Sequence, residues 1–255
     1  MIRKTAVAGT FYPADPEELK RMVDGFLAAE DDSKFKNLRG IIAPHAGYIF
    51  SGKTAGMGFR QFASLPKKPR RVFILAPAHF SAVGVSVGDF ESYETPLEKV
   101  EVDREICGEL LQSPEFEFVP EAHAHEHSIE VQLPFLIRSL PNFKIVPILC
   151  GDISPKILAS ALEKYFAAEE NLFVISSDLS HFFPLEIAQQ KDSKTLGIIT
   201  LLDFENAGEI DACGKIPILT AMQLAKKIRL LDYSTSAEAS GDSENVVGYA
   251  SLAIF

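Results

Sequence analysis

The stretch EAHAHEHSIEVQLPF places His123, His125 and His127 within five positions, half of the six histidines in the chain. Imidazole binds transition metals and moves protons near neutral pH, so so dense a cluster demands a geometric reading. A spacing of i, i+2 and i+4 puts three side chains on one face only in an extended segment. The residues that follow, SIEVQLPFLIRSL, have Ile129, Leu133, Leu136, Ile137 and Leu140 at helical spacing, with Ser128 placed to cap the helix. The histidines then fall in the loop or turn leading into it. A contiguous triplet, like an expression tag, binds metal only weakly and without selectivity.

The other three histidines obey a different rule. GIIAPHAGY carries His45, VFILAPAHF carries His79, and LFVISSDLSHF carries Asp178 and His181. Each is an apolar strand, then small or turn-favouring residues, then a histidine. One histidine after a strand is ordinarily a loop residue. Three built the same way can meet, because ligands gather at the carboxyl ends of strands in open α/β sheets. Cys213, in DACGKIPILTAM, precedes a helix start and has Lys215 beside it, a setting that favours the thiolate. Together His45, His79 and Cys213 make a two-nitrogen, one-sulfur set with room for water or substrate. Imidazole suits iron, copper and zinc, and thiolate shifts preference towards copper(I), zinc or iron. Asp178 can orient an imidazole or coordinate, and His181 can shuttle a proton. Cys107 and Cys150 read as small buried hydrophobes.

The elements that must position these groups follow from periodicity. Buried strands are predicted at 40–42, 71–76, 144–150 and 172–176 and in the C-terminal VVGYASLAIF. Most are continuous apolar runs, so helices should cover both faces. DPEELKRMVDGFLAAE reads as a helix with Asp15 as N-cap and Pro16 in the first turn, and SPKILASALEKYF repeats the device with Ser154 and Pro155. PILTAMQLAKKIRLL reads as a third helix starting near Pro217. The chain contains no repeat and no linker. The expectation is a single α/β domain over 1–255, its central sheet mostly parallel or mixed and flanked by helices.

Composition narrows the function. The 255 residues carry a formal net charge of −10, which disfavours non-specific nucleic-acid binding. No apolar run approaches membrane-spanning length, and the N-terminus lacks the apolar core of a secretory signal. Three scattered cysteines make no disulfide framework. A reducing, cytoplasmic setting is expected, with no nucleic acid and no membrane as partner.

Six segments, TFYPADPEEL, APHAGYIFSG, AHAHEHSIEVQLPFL, SSDLSHF, ACGKIPI and SGDSENVVGYAS, together resemble the Memo family, in order and along essentially the whole chain. The resemblance implies a fold like that of the class III extradiol dioxygenases. Those enzymes hold non-haem iron(II) with two histidines and a carboxylate and use another histidine as acid/base. On that resemblance His45 and His79 match the metal histidines, and Cys213 matches the family's cysteine, which stands where the dioxygenases have a carboxylate. His181 matches the histidine near the metal, with Asp178 from the same motif, and His127 matches another histidine lining the cleft. His123 then belongs to the family pattern with a structural role, while His125 occupies a variable, solvent-exposed position. Glu126 and Glu130 stay open between orienting histidines and capping or surface roles.

The resemblance therefore implies iron(II) or copper, with zinc less favoured, and a metal-dependent oxidoreductase acting on an unknown small substrate. A second reading keeps the cleft as a non-catalytic adaptor that binds a peptide or an anionic ligand. A metal-assisted hydrolase ranks third. Microbial members of the family keep company with a radical-SAM protein, which makes a modified nucleotide, nucleobase or protein side chain a conceivable substrate.

Overall fold

The computed structural model describes residues 1–28, 35 and 37–255. Its strands are β1 (Ile2–Arg3), β2 (Gly40–Ala43), β3 (Arg71–Pro77), β4 (Val85–Val87), β5 (Ser92–Glu94), β6 (Lys99–Glu101), β7 (Lys144–Cys150), β8 (Asn171–Ser176), β9 (His181–Phe183), β10 (Ile228–Thr235) and β11 (Val246–Ile254). The large sheet runs β10-β11-β2-β8-β3-β7-β4, with β9 added on β11. Its four middle strands, β2, β8, β3 and β7, are parallel, and antiparallel pairs finish both sides. The sheet is therefore mixed.

The apolar runs explain this centre. Every residue of β2 and β8 is buried, as are all but the first of β3 and β7. Alternate side chains point to opposite faces, so burial at each position requires cover on both. Helices Pro155–Ala167 and Lys215–Leu224 pack together against β8 and β3, and Tyr48–Phe59 packs on β2, β10 and β11. Among the described residues no helix is long and apolar enough to cross a membrane.

The N-terminal helix spans Pro16–Leu27, and the Asp15 carboxylate accepts the Glu18 amide at 2.8 Å as its cap. Ala29 and Glu30, the end of the helix expected from sequence, lie outside the described residues. Three expectations are corrected. Ser128 caps nothing; its hydroxyl donates to the Pro77 carbonyl, and a 3-10 turn at Glu130–Gln132 precedes the helix Leu133–Ser139. The first histidine of the triplet lies in a short helix, Pro120–Ala124, rather than a loop. The helix near Pro217 starts at Lys215 and stops at Leu224, and IRLL, the end of the helix expected from sequence, is the start of β10. A three-stranded sheet, β1-β5-β6, has no counterpart in the sequence reading.

Candidate metal centre

β2, β8 and β3 are adjacent and parallel, and His45, Asp178 and His79 follow their carboxyl ends. Cys213 arrives from the segment before helix Lys215–Leu224 and packs on the end of β8. Gly214 allows that approach, because a Cβ there would stand 2.6 Å from both the Ser176 carbonyl oxygen and the Ser177 Cβ. The donor atoms of His45, His79 and Cys213 lie within 4.8 Å of one another, with His45 Nε2 3.3 Å from Cys213 Sγ. Tetrahedral coordination by nitrogen and sulfur at ordinary bond lengths needs donor separations of about 3.3–3.6 Å. The trio fits a transition metal with a small contraction.

Hydrogen-bond arithmetic fixes which ring nitrogen faces inward. The Ser176 hydroxyl spends its one hydrogen on the Ser128 carbonyl at 2.7 Å and accepts from the Gln132 amide at 2.8 Å. It must therefore accept from His45 Nδ1, 2.8 Å away, which leaves the Nε2 lone pair towards Cys213. Glu126, ionised, can only accept. His79 Nδ1 donates to it at 3.0 Å, so the lone pair of His79 is also at Nε2. Both imidazoles are set in the tautomer a metal requires.

The carboxylates are fixed just as firmly. Glu126 is buried, which works to raise its pKa. Hydrogen bonds from the His79 ring and from the His79 and Ser128 amides overcome this and hold it at about 2. The His127 amide donates to it as well, at 2.9 Å. His79, Glu126 and His127 form a second close trio. With its oxygens turned to these donors, Glu126 is read as an orienting group. Asp178 accepts the His45 amide at 2.8 Å, and its own amide donates to Cys213 Sγ at 3.2 Å. Burial raises its pKa, opposed by the His45 amide and the nearby His181.

Burial, reinforced by His79, lowers His45 to about 3. His127 falls to about 4 through burial and the proximity of His45. Its ring stacks on His79 with centroids 5.0 Å apart, and the Phe11 ring lies tilted against it with centroids 4.8 Å apart. One sequence expectation fails here. Burial, then the Asp178 charge, pushes the Cys213 thiol up to about 12, and Lys215 turns away to donate to the Gly208 carbonyl at 2.6 Å. A helix of this kind does not outweigh desolvation without a cation bound.

The family model described as "Memo-like protein" matches residues 3–253. The chain belongs to the Memo family. A MEMO1 family protein of Aquifex aeolicus (strain VF5) is 36% identical, with 98% of each chain covered. Another, from Ignicoccus hospitalis, is 38% identical over 99% of this chain and 98% of its own. The crystal structure of an uncharacterized protein from Escherichia coli K12 superposes with a TM-score of 0.58 at 14% identity, covering 86% of this chain and all of that one. At that identity the likeness speaks for the fold alone.

Within this Memo-family chain the triplet splits into three fates. His123 is buried, with Tyr93 Oη 2.8 Å and Ser86 Oγ 3.1 Å from its ring nitrogens. His125 is exposed, and His127 enters the cleft beside His45 and His79. His181 is half-buried at the start of β9, close enough to influence both His45 and Asp178. Ser176 and Gln132 carried no signal of their own in sequence. Only Ser176's place at the end of a strand that leads to Asp178 marked it.

Proposed function

We propose that this Memo-family protein is a metal-dependent oxidoreductase acting on a small molecule, with His45, His79 and Cys213 holding the metal. The observation that carries the reading is the pair of imidazoles fixed by Ser176 and Glu126 with both Nε2 lone pairs free. Two nitrogens and a sulfur suit iron(II) or copper, and zinc less so for redox work. When bound, such a metal supplies Lewis acidity and a redox couple at a position left open by the three protein ligands.

The protein's own groups then have separable tasks. His45, lowered to about 3, is neutral at pH 7, the form that ligates. Cys213, raised to about 12, gives up its proton only on meeting a cation, so metal uptake should release protons. Asp178 holds the His45 and Cys213 segments together through its carboxylate and its amide. His181, on the Asp178 side, holds or passes a proton. His127, neutral at pH 7, lines the cleft where it can hydrogen-bond a substrate.

Oxygen uptake by iron(II)- or copper(I)-loaded protein, screened against small chelating compounds, tests the reading. Uptake that needs a compound and disappears in His181→Ala supports it. A protein that keeps its metal but consumes no oxygen with any compound contradicts it, and would favour the same cleft as a binding site for a peptide or anionic ligand.

A further inference from the structure

His45 and His79 are each held by a hydrogen bond to the ring, but His181 is not. Among the described residues its ring nitrogens have no hydrogen-bond partner, and its ring lies beside that of Phe182 with centroids 5.7 Å apart. The direction of this imidazole is therefore set by the backbone that carries it. The chain turns sharply there. β9 pairs antiparallel with β11, the register slips between His181 and Phe183, and Phe182 between them has a φ of +61°. A phenylalanine keeps that left-handed conformation only where the surrounding structure over-determines it.

The bonds that do so fall on the two residues before His181. The Leu179 amide donates to the Gly248 carbonyl at 2.8 Å, and the Gly248 amide donates to the Ser180 carbonyl at 3.0 Å. The Ser180 amide donates to Asp192 Oδ1, also at 3.0 Å. The first two are ordinary bonds to β11, but the third is costly. Asp192, on the helix Leu185–Leu201, is fully buried, and among the described residues no cation pairs with it. Lys191 beside it turns to Asp211 at 2.8 Å. The other Asp192 oxygen accepts the Tyr233 hydroxyl at 2.8 Å. Burying a carboxylate without a cation opposes folding, and a leucine would fill the same space with no such penalty. The sheet also gives way, because a Cβ on Gly248 would run into the carboxylate. Both concessions secure one bond, to the amide of the residue before His181. One turn further along the same helix face, Thr195 Oγ1 accepts the Asp211 amide at 3.1 Å, two residues before Cys213. The helix thus reaches two of the segments that build the site.

Resting on the reading above that His181 holds or passes a proton, we propose that Asp192 is the positioning residue for His181, acting through the Ser180 amide rather than on the imidazole itself. The carboxylate fixes the turn Asp178–His181 at its last peptide, so the imidazole keeps one direction although nothing bonds to its ring. That direction leaves it within electrostatic reach of His45 and Asp178.

Magnetic resonance of the full-length protein with isotope-labelled histidine rings tests this at neutral pH, with His181→Ala assigning the signal. Wild type should give one sharp His181 ring signal. Asp192→Leu has a similar shape but no acceptor, and should move that signal by more than its line width or split it, while the His123 signal stays in place. Asp192→Asn keeps an oxygen for the Ser180 amide and should hold the His181 signal near its wild-type position. Any oxygen uptake found in the screen above should show kcat about 10-fold or more lower in Asp192→Leu, with KM nearly unchanged. A His181 signal unmoved in folded Asp192→Leu, or moved equally by Asp192→Asn, would overturn the proposal. If Asp192→Leu does not fold, hydrogen exchange of the wild-type Ser180 amide decides: protection like that of the β11 amides supports the proposal, and exchange like that of an exposed loop overturns it. The spectra need neither metal nor turnover, so this positioning can fail while the oxidoreductase reading stands. Absent oxygen uptake, in turn, would remove the reaction and leave the geometry.

Discussion

At the scale of single residues, the candidate centre is specified by groups that lie behind the His45–His79–Cys213 trio. Ser176 and Glu126 fix the two imidazoles by hydrogen-bond arithmetic, and a carboxylate-to-amide change alters that arithmetic without altering shape. Glu126→Gln is expected to weaken metal binding about 10–100-fold, as loss of such supporting partners does elsewhere. Competitive metal titration checks this, and an unchanged affinity would mean that Glu126 merely packs. His123 tests the opposite assignment, a structural histidine. Burial, with Arg3 nearby, lowers it to about 3. A histidine lowered in the folded state contributes fully above its unfolded value of about 6.5 and loses that contribution as pH falls towards 3. Below about pH 6, His123→Gln should therefore remove about 1.4 kcal/mol per pH unit from the acid slope of stability. Urea unfolding at pH 7.5, 6 and 5 gives the comparison, and parallel slopes would contradict it.

At the scale of elements, the site is three adjacent strand ends and one helix approach. Gly214 makes the approach possible, so Gly214→Ala should destabilise the fold by about 1–3 kcal/mol and weaken metal binding through Cys213. Denaturant unfolding and metal titration of the same variant check the two effects together. The strand ends were legible in sequence because β2, β3, β7 and β8 are continuous apolar runs that stop at small or turn-favouring residues. His45, His79, Asp178 and His181 could be placed from that alone. β10 was not legible, because the apolar spacing of PILTAMQLAKKIRLL runs on past the end of the helix at Leu224. β1, β5 and β6 have only two or three residues each, too few to show a period. Ser176 had no assigned role in sequence because its partner His45 lies 131 positions away, and the role of Glu126 stayed open there because His79 lies 47 positions away.

At the scale of the whole molecule, the N-terminal segment closes one wall of the centre. Glu130 is fully buried, pairs with Arg3 and accepts from the Tyr12 hydroxyl and from the Ala6 and Val7 amides. Arg3 also donates to the carbonyls of His123 and Glu126. These bonds tie residues 3–12 to the segment that carries Glu126 and His127, with Phe11 against the His127 ring. Of the two roles open to each glutamate in sequence, Glu126 orients histidines, while Glu130 holds another part of the chain. Arg3→Met would leave a buried carboxylate without its cation and should lower stability by about 3–5 kcal/mol, read from chemical unfolding. A loss under 1 kcal/mol would show that water or rearrangement replaces the guanidinium. The centre itself is tested most directly by metal analysis of untagged protein purified under anaerobic, reducing conditions, alongside His45→Ala and Cys213→Ser. Near-stoichiometric iron or copper in wild type, lost in both variants, is the expected result. Little metal in wild type even after reconstitution with iron(II) and copper(I) would contradict the mixed histidine–thiolate centre.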